Sequence, residues 1–328
     1  MPAHQQAANV GGNANRQHTF MKQWTIFLFL IPFLSCNISC GQSPNSKKIN
    51  THDTIVKATN AAIIFYQTTP KRLSNIVDKM SSINEVQYEH IGFAGTESIN
   101  FKNFIELKKT ATIFDLLQLS NNQNSVVACY SGWALADKSY SDLKSIFANF
   151  ISQKKQVETF NGCIRSQNNL SSELYHRYWN SIDDNKKTTD KILLQLDSVI
   201  LFSKSADWLL TIRALENRVY KEPFKSQIEK LAFHQGNIDA IYYFCNWHRA
   251  EYADQIKAGL VTYLKNTNFE KIGTTEYYKT LQELFKFKDP NIEKIIIAKL
   301  KKDRNWEKDK ERFKYLLEDN YIYNIDME

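Results

Sequence analysis

The chain has 328 residues, of which 42 are lysine or arginine and 35 are aspartate or glutamate, so its formal net charge is +7. This mild excess is spread along the chain and lacks the clustered basic stripe of nucleic-acid-binding proteins, so we predict no nucleic-acid partner. Hydrophobic residues make up 43% of the chain, with only ten glycines and six prolines, which excludes a low-complexity protein.

An apolar run near the N-terminus indicates an export signal. Residues 24–34 follow Met21 and Lys22 and contain no charged side chain. The run is too short for a transmembrane helix, which needs about 20 residues, but it suits the hydrophobic core of a secretory signal peptide. Residues 1–20 show no apolar periodicity, so we interpret them as a disordered leader or a wrongly assigned start. The signal peptide is then expected over residues 21–40.

Two cysteines follow the apolar run. The stretch FLSC, residues 33–36, resembles the lipobox of bacterial lipoproteins, in which a small residue precedes a cysteine that becomes acylated. Its phenylalanine departs from the usual aliphatic residue. Cys36 is therefore the expected lipidation site and Cys40 the alternative, while ordinary cleavage after Gly41 would give a secreted soluble protein. The resemblance implies a cell-envelope protein, lipid-anchored in the membrane and facing the periplasm.

Residues 41–53 form a polar linker suited to tethering a globular body. In the remaining domain, residues 54–328, apolar residues recur at spacings of three and four, which predicts amphipathic helices. Strand-like alternation is scarce except at residues 61–67, so we predict an all-α fold. The clearest helical faces are Leu143, Ile146, Phe147, Phe150 and Ile151; Ile192, Leu193, Leu196, Val199 and Ile200; Trp208, Leu209, Ile212, Leu215 and Val219; and Ile292, Ile295, Ile296 and Leu300.

Two stretches close to 113 residues apart have a similar order of residues. At Asn124 and again at Asn237, an asparagine precedes an apolar helix that carries a tryptophan, Trp133 or Trp247. A turn then leads into a second amphipathic helix. The spacing corresponds to three units of about 38 residues, near the period of repeats built from two helices.

Residues 113–135 resemble a HEAT repeat: one helix, a short polar turn, and a second helix with small residues that closes on Ala134 and Leu135. The resemblance implies an irregular HEAT- or armadillo-like right-handed superhelix of antiparallel helix pairs. Stacked pairs of this kind build a continuous core and leave an open concave surface. The polar segment 153–170 is expected to interrupt the stacking.

The end of the second tryptophan-bearing helix is a candidate interaction surface. Trp247, His248, Arg249 and Glu251 include the aromatic and arginine side chains that interface hot spots favour. The alternative is an ordinary solvated helix end with His248 on the surface. Cys245 and His248 are one turn apart, but zinc needs three or four ligands and no second pair lies nearby, so we predict no metal and no cofactor.

A glycine-containing loop at residues 88–98 is the other candidate site. Its members His90, Gly92, Gly95 and Glu97 have the composition of a functional loop, and a histidine beside carboxylates suits acid–base chemistry. No nucleophile motif, phosphate-binding loop or HExxH sequence accompanies them. The alternative is a loop that only connects two helices.

Two functions follow as expectations. The preferred one is a non-catalytic, lipid-anchored envelope protein that binds a protein or an envelope polymer through its helical-repeat surface. The alternative is an envelope hydrolase with its site around the Gly92/Gly95 loop. A cluster of His90 with His176 or His248 in a deep pocket would favour the enzyme, whereas a shallow groove lined by tyrosine, tryptophan and arginine would favour the binding protein. No catalytic residue is assigned.

Overall fold

The structure is a computed structural model and describes residues 69–323 and 325. Within this part, no helix is both long enough and apolar enough to span a bilayer. Several assignments made from the sequence lie outside the described residues: the leader 1–20, the signal peptide 21–40 with Cys36 and Cys40, the linker 41–53 and the alternation at 61–67.

The described residues are mostly helical, but they also contain a sheet, so the all-α prediction needs correction. They form fourteen α-helices and one four-stranded mixed sheet. The helices are α1 (Ser74–Ile83), α2 (Ile99–Thr110), α3 (Ile113–Leu119), α4 (Ser125–Asp137), α5 (Leu143–Gln153), α6 (Leu170–Ser181), α7 (Lys191–Phe202), α8 (Trp208–Glu216), α9 (Phe224–Glu229), α10 (Ile238–Trp247), α11 (Ala253–Asn266), α12 (Phe269–Phe285), α13 (Pro290–Lys302) and α14 (Lys310–Glu318).

The sheet is built from two hairpins at the segments that we expected to be loops. Its strands are β1 (Val86–Ile91), β2 (Thr96–Glu97), β3 (Gln156–Gly162) and β4 (Ile164–Asn169), in the order β2-β1-β3-β4. β1 pairs with β2 and β3 with β4 in antiparallel fashion, while β1 and β3 run parallel. The segments 88–98 and 153–170 are therefore largely strand. β4 is exposed along most of its length, so no alternation of apolar and polar residues marked it.

Trp133 on α4 joins the sheet to the first helices. Its side chain is 1% exposed, and its ring lies 5.0 Å from Tyr88 of β1, 5.8 Å from Phe104 of α2 and 5.5 Å from Tyr130, measured between ring centroids. The indole N–H donates to the backbone carbonyl of Glu173 on α6 at 3.2 Å. One large side chain thus connects β1, α2, α4 and α6.

From α4 onward most helices contact the next helix along the chain. Successive helices are in contact in the pairs α4 with α5, α5 with α6, α6 with α7, α7 with α8, α10 with α11, α11 with α12 and α12 with α13. Helices two apart also touch, namely α4 with α6, α5 with α7, α7 with α9, α8 with α10 and α11 with α13. The asparagines expected at the two similar stretches are N-caps, because Asn124 and Asn237 accept backbone N–H groups at the starts of α4 and α10.

The apolar faces predicted on α5, α7 and α13 lie against the core, whereas the face predicted on α8 does so only in part. Leu215 of that face is buried, but Trp208, Leu209 and Val219 are exposed, and Leu210 and Ala214 are buried instead. α8 carries apolar residues on more than one side, and periodicity alone does not tell which side faces the core. The rotation of α8 leaves large apolar side chains on the protein surface.

Candidate binding surface

Of the four residues predicted as an interaction surface, Trp247 is the one that projects most freely. It ends α10 with its side chain 49% exposed. His248 is not the surface residue that we expected. Its side chain is only 16% exposed, its ring packs against Tyr243 and Phe244 at centroid distances of 5.7 Å, and its Nδ1 lies 3.3 Å from Glu251 Oε2.

Arg249 and Glu251 are occupied by contacts within the chain. The Arg249 guanidinium pairs with the carboxylate of Glu283 on α12, a side chain that is almost fully buried, and it lies 5.3 Å from the ring centroid of Phe287. Glu251 accepts a hydrogen bond from Lys225 Nζ at 2.6 Å. These two residues fasten the α10–α11 turn to its neighbours, which is a structural role.

Arg249→Glu is therefore expected to destabilise the fold, by roughly 3 kcal/mol, because it places a second carboxylate against the buried Glu283. Lys286, whose Nζ is 2.6 Å from Glu283 Oε1, limits the loss. The matched control is Glu251→Lys, which reverses an exposed charge and should cost less. Urea unfolding followed by circular dichroism measures both variants, and equal midpoints would contradict the structural role of Arg249.

A groove opens between α8, α10 and α12, and Trp247 stands on its rim. Its cavity has a volume of about 230 Å³. Two further large apolar residues of α8, Trp208 and Leu209, are 60% and 51% exposed and lie one turn before Ile212, which lines the cavity. We call the cavity the tryptophan groove, and its lining residues are Ile212, Leu215, Glu216, Asp239, Tyr242, Tyr243, Asn246, Trp247 and Lys279.

Hydrogen bonds fix the floor of the tryptophan groove. The hydroxyl groups of Tyr242 and Thr280 are 2.8 Å apart, and the Tyr243 hydroxyl accepts the backbone N–H of Tyr220 at 2.8 Å. Burial raises the pKa of both groove tyrosines, so they stay neutral. Lys279 Nζ lies 3.9 Å from the ring centroid of Tyr242. The groove thus has a rigid aromatic floor with one cation already against it.

A buried polar network connects α6 and α7 to the segment that follows α8. Asp197 of α7 is fully buried and accepts hydrogen bonds from the Tyr175 hydroxyl at 2.7 Å, Asn217 Nδ2 at 2.9 Å and the Tyr220 hydroxyl at 2.9 Å. Arg218 is the nearest cation, at 3.4 Å. Burial raises the pKa of Asp197 to about 6 in spite of these contacts. The backbone N–H of Tyr220 also donates to the Tyr243 hydroxyl in the groove floor. Tyr220 therefore connects the network to the tryptophan groove.

The predicted Gly92/Gly95 loop is the turn of the β1–β2 hairpin. Both glycines have positive φ, 73° and 61°, which a residue with a Cβ adopts only with strain. The Gly92 N–H donates to the carbonyl of Gly162 at 2.8 Å and so ties the two hairpin ends together. Phe93 at the tip is fully exposed. The glycines are explained by the turn itself.

The three histidines proposed to cluster, His90, His176 and His248, are not brought together. His90 is exposed, and its one ion-pair partner in the described part of the chain is Glu89, at 3.9 Å. It makes no hydrogen bond or ion pair with His176 or His248, and Glu97 is paired with a lysine instead. Across residues 69–323 and 325, no group of three or more His, Cys, Asp or Glu side chains is placed to hold a metal ion.

No family model matches the chain, and no curated protein and no solved structure is significantly similar to it. The function of this protein must therefore be inferred from its own surface chemistry. The tryptophan groove is the site that combines exposed aromatic side chains, a concave shape and a rigid floor.

Proposed function

We propose that this chain is a non-catalytic binding module of the cell envelope, lipid-anchored through Cys36 or alternatively Cys40, that holds a protein partner in the tryptophan groove. The observation that carries this proposal is the half-exposed Trp247 on the rim of a concave site, together with the exposed Trp208 and Leu209 one helical turn before Ile212, which lines it. Soluble proteins keep such side chains on the surface at cost, and a concentration of them marks an interaction site.

The composition of the surface favours a protein as the partner. Tryptophan, tyrosine and arginine dominate the energetics of protein interfaces. Arg213 of α8 has its guanidinium carbon 4.6 Å from the ring centroid of Trp179 on α6. Aromatic and basic side chains therefore continue from the tryptophan groove toward α6, which gives a partner more surface than a single pocket.

The packing order of the helices supports an irregular HEAT-like superhelix as the scaffold. Helices two apart are in contact, as α8 is with α10, and in a superhelix of helix pairs such helices are neighbours in one layer. On this proposal α8, α10 and α12, whose residues line the tryptophan groove, belong to one layer. In a superhelix of this kind, the groove between equivalent helices repeats along the surface and suits an extended partner.

Loss of the exposed tryptophans is expected to abolish partner capture without unfolding the protein. The experiment is co-purification from the native host with an affinity-tagged chain, comparing wild type with Trp208→Ala and Trp247→Ala. Phe93→Ala is the matched control, since it removes an equally exposed aromatic side chain from the distant hairpin turn. We expect at least a tenfold loss of the partner band in the tryptophan variants, as for hot-spot residues.

Two results would count against the proposal. If Phe93→Ala loses the same bands as Trp247→Ala, the bands arise from nonspecific binding to exposed aromatic residues. If both tryptophan variants keep every band of the wild type, the tryptophan groove is not the binding site. The anchor is tested separately by intact mass, since Cys36→Ser or Cys40→Ser alone should remove the acyl groups.

A further inference from the structure

The side chains that line the tryptophan groove indicate which chemical group of a partner fits it. We infer that the groove receives a cationic side chain, arginine or lysine, that sits among apolar residues in an exposed segment of the partner. This inference rests on the proposed binding function and adds to it the chemistry of the ligand. Three features of the groove carry it: aromatic faces, a carboxylate and size.

Aromatic faces are the first feature. Tyr242, Tyr243 and Trp247 line one small cavity, and a cation within about 6 Å of such a ring is attracted by its negative face. The protein already shows this attraction here, because Lys279 Nζ lies 3.9 Å from the Tyr242 ring centroid. That lysine takes up the Tyr242 face, and the half-exposed indole of Trp247 is the ring presented to a partner.

A carboxylate on the α8 wall is the second feature. Glu216 of α8 lines the cavity beside Trp247. The Glu216 carboxylate is 62% exposed, and its nearest basic group, Arg213 NH1, is 3.7 Å away, a longer separation than a hydrogen-bonded ion pair has. An arginine side chain can stack its guanidinium face on an indole and donate hydrogen bonds from its edge to a carboxylate at the same time.

Size is the third feature. At about 230 Å³ the cavity is smaller than the roughly 300 Å³ at which drug-sized ligand pockets begin, a size that suits a single side chain. Ile212 and Leu215 form its apolar wall, and Trp208 and Leu209 continue that surface beyond the rim. Apolar residues on either side of the partner's cation can therefore pack against this surface.

Substitutions at Lys279 and at Glu216 are expected to change the affinity for a cationic ligand in opposite directions. Its ammonium group is a cation supplied by the protein itself, so it competes with a partner's cation for the same aromatic floor. Removing the charge in Lys279→Gln should raise the affinity for a cationic peptide about threefold, whereas Glu216→Gln should lower it about threefold. A residue that only stabilised the fold would not change affinity in opposite directions.

The experiment uses a random dodecapeptide phage library selected on the immobilised full-length chain, with counter-selection on Trp247→Ala. Peptides that survive are labelled, and their affinities are measured by fluorescence anisotropy on wild type, Lys279→Gln and Glu216→Gln, with Phe93→Ala as control. We expect the survivors to carry arginine or lysine beside large apolar residues. Replacing that basic residue by glutamine should weaken binding about tenfold.

The outcomes separate the two levels of the proposal. Peptides that need Trp247 but contain no basic residue, or affinities unchanged in Lys279→Gln and Glu216→Gln, overturn the inference about the cation and leave the binding function standing. If no peptide survives the counter-selection, because every binder binds Trp247→Ala as well as wild type, both are overturned. Circular dichroism of each variant confirms that a loss of affinity is not a loss of fold.

Discussion

Trp133→Ala is expected to lower the free energy of unfolding by about 4 kcal/mol, as truncation of a fully buried aromatic side chain does. Trp133 is 1% exposed and packs against Tyr88, Phe104 and Tyr130, so alanine leaves a large cavity where the sheet meets the helices. The loss is a large part of the total stability, since a domain is stable by roughly 5–15 kcal/mol.

Trp247→Ala is the matched control for this prediction. Trp247 is the tryptophan of the second similar helix, but it lies ten residues after its N-cap Asn237, whereas Trp133 lies nine after Asn124, and it is half-exposed on the rim of a groove. Its removal should change stability by less than about 1 kcal/mol. Urea unfolding followed by tryptophan fluorescence and circular dichroism compares the variants. Similar midpoints for the two would contradict the assignment of one tryptophan to the core and the other to binding.

Asp197→Ala is expected to cost roughly 3–5 kcal/mol, because it removes one partner of a buried ion pair and leaves the Arg218 charge without its carboxylate. It also removes the acceptor on which Tyr175, Asn217 and Tyr220 converge, and of these donors only Asn217 and Tyr220 have a second acceptor, the Tyr175 hydroxyl and the Ala214 carbonyl. Since Tyr220 contacts the groove floor, the same variant should weaken partner binding without touching the partner.

The control for Asp197→Ala is Asp183→Ala. Asp183 also pairs with a lysine, Lys186, but both side chains are largely exposed, so its removal should leave the unfolding midpoint unchanged. Guanidinium unfolding at neutral pH measures both variants. If Asp197→Ala unfolds at the wild-type midpoint, the buried network does not stabilise the α6–α8 region as described.

The helices were accessible to sequence analysis wherever one face alone is apolar. On α5 every residue of the predicted face, from Leu143 to Ile151, is buried, because the opposite face is polar and the orientation is unambiguous. The same reasoning did not give the orientation of α8, because Trp208 and Leu209 form a second apolar side of that helix. The sheet was missed because β4 is exposed and polar, and because β1 and β3 are joined in parallel across a long helical connection.

The candidate site was only partly predictable. Trp247 was identified from its position beside arginine and glutamate, but Arg249 was assigned to binding because its partner Glu283 is 34 residues further along the chain. Contacts of that range leave no local pattern. The buried network around Asp197 was missed, and the signal that could have found it is an acidic residue within the apolar face of α7, since a carboxylate at a core position needs partners.

Photo-crosslinking in intact cells of the native host tests the central claim, that the tryptophan groove holds a protein partner. A benzophenone amino acid replaces Leu209 or Trp247 in the groove region, or Phe93 at the distant hairpin turn as control. We expect one discrete adduct of higher mass from positions 209 and 247 and none from position 93. Adducts of equal yield from position 93, or no adduct from either groove position, would contradict it.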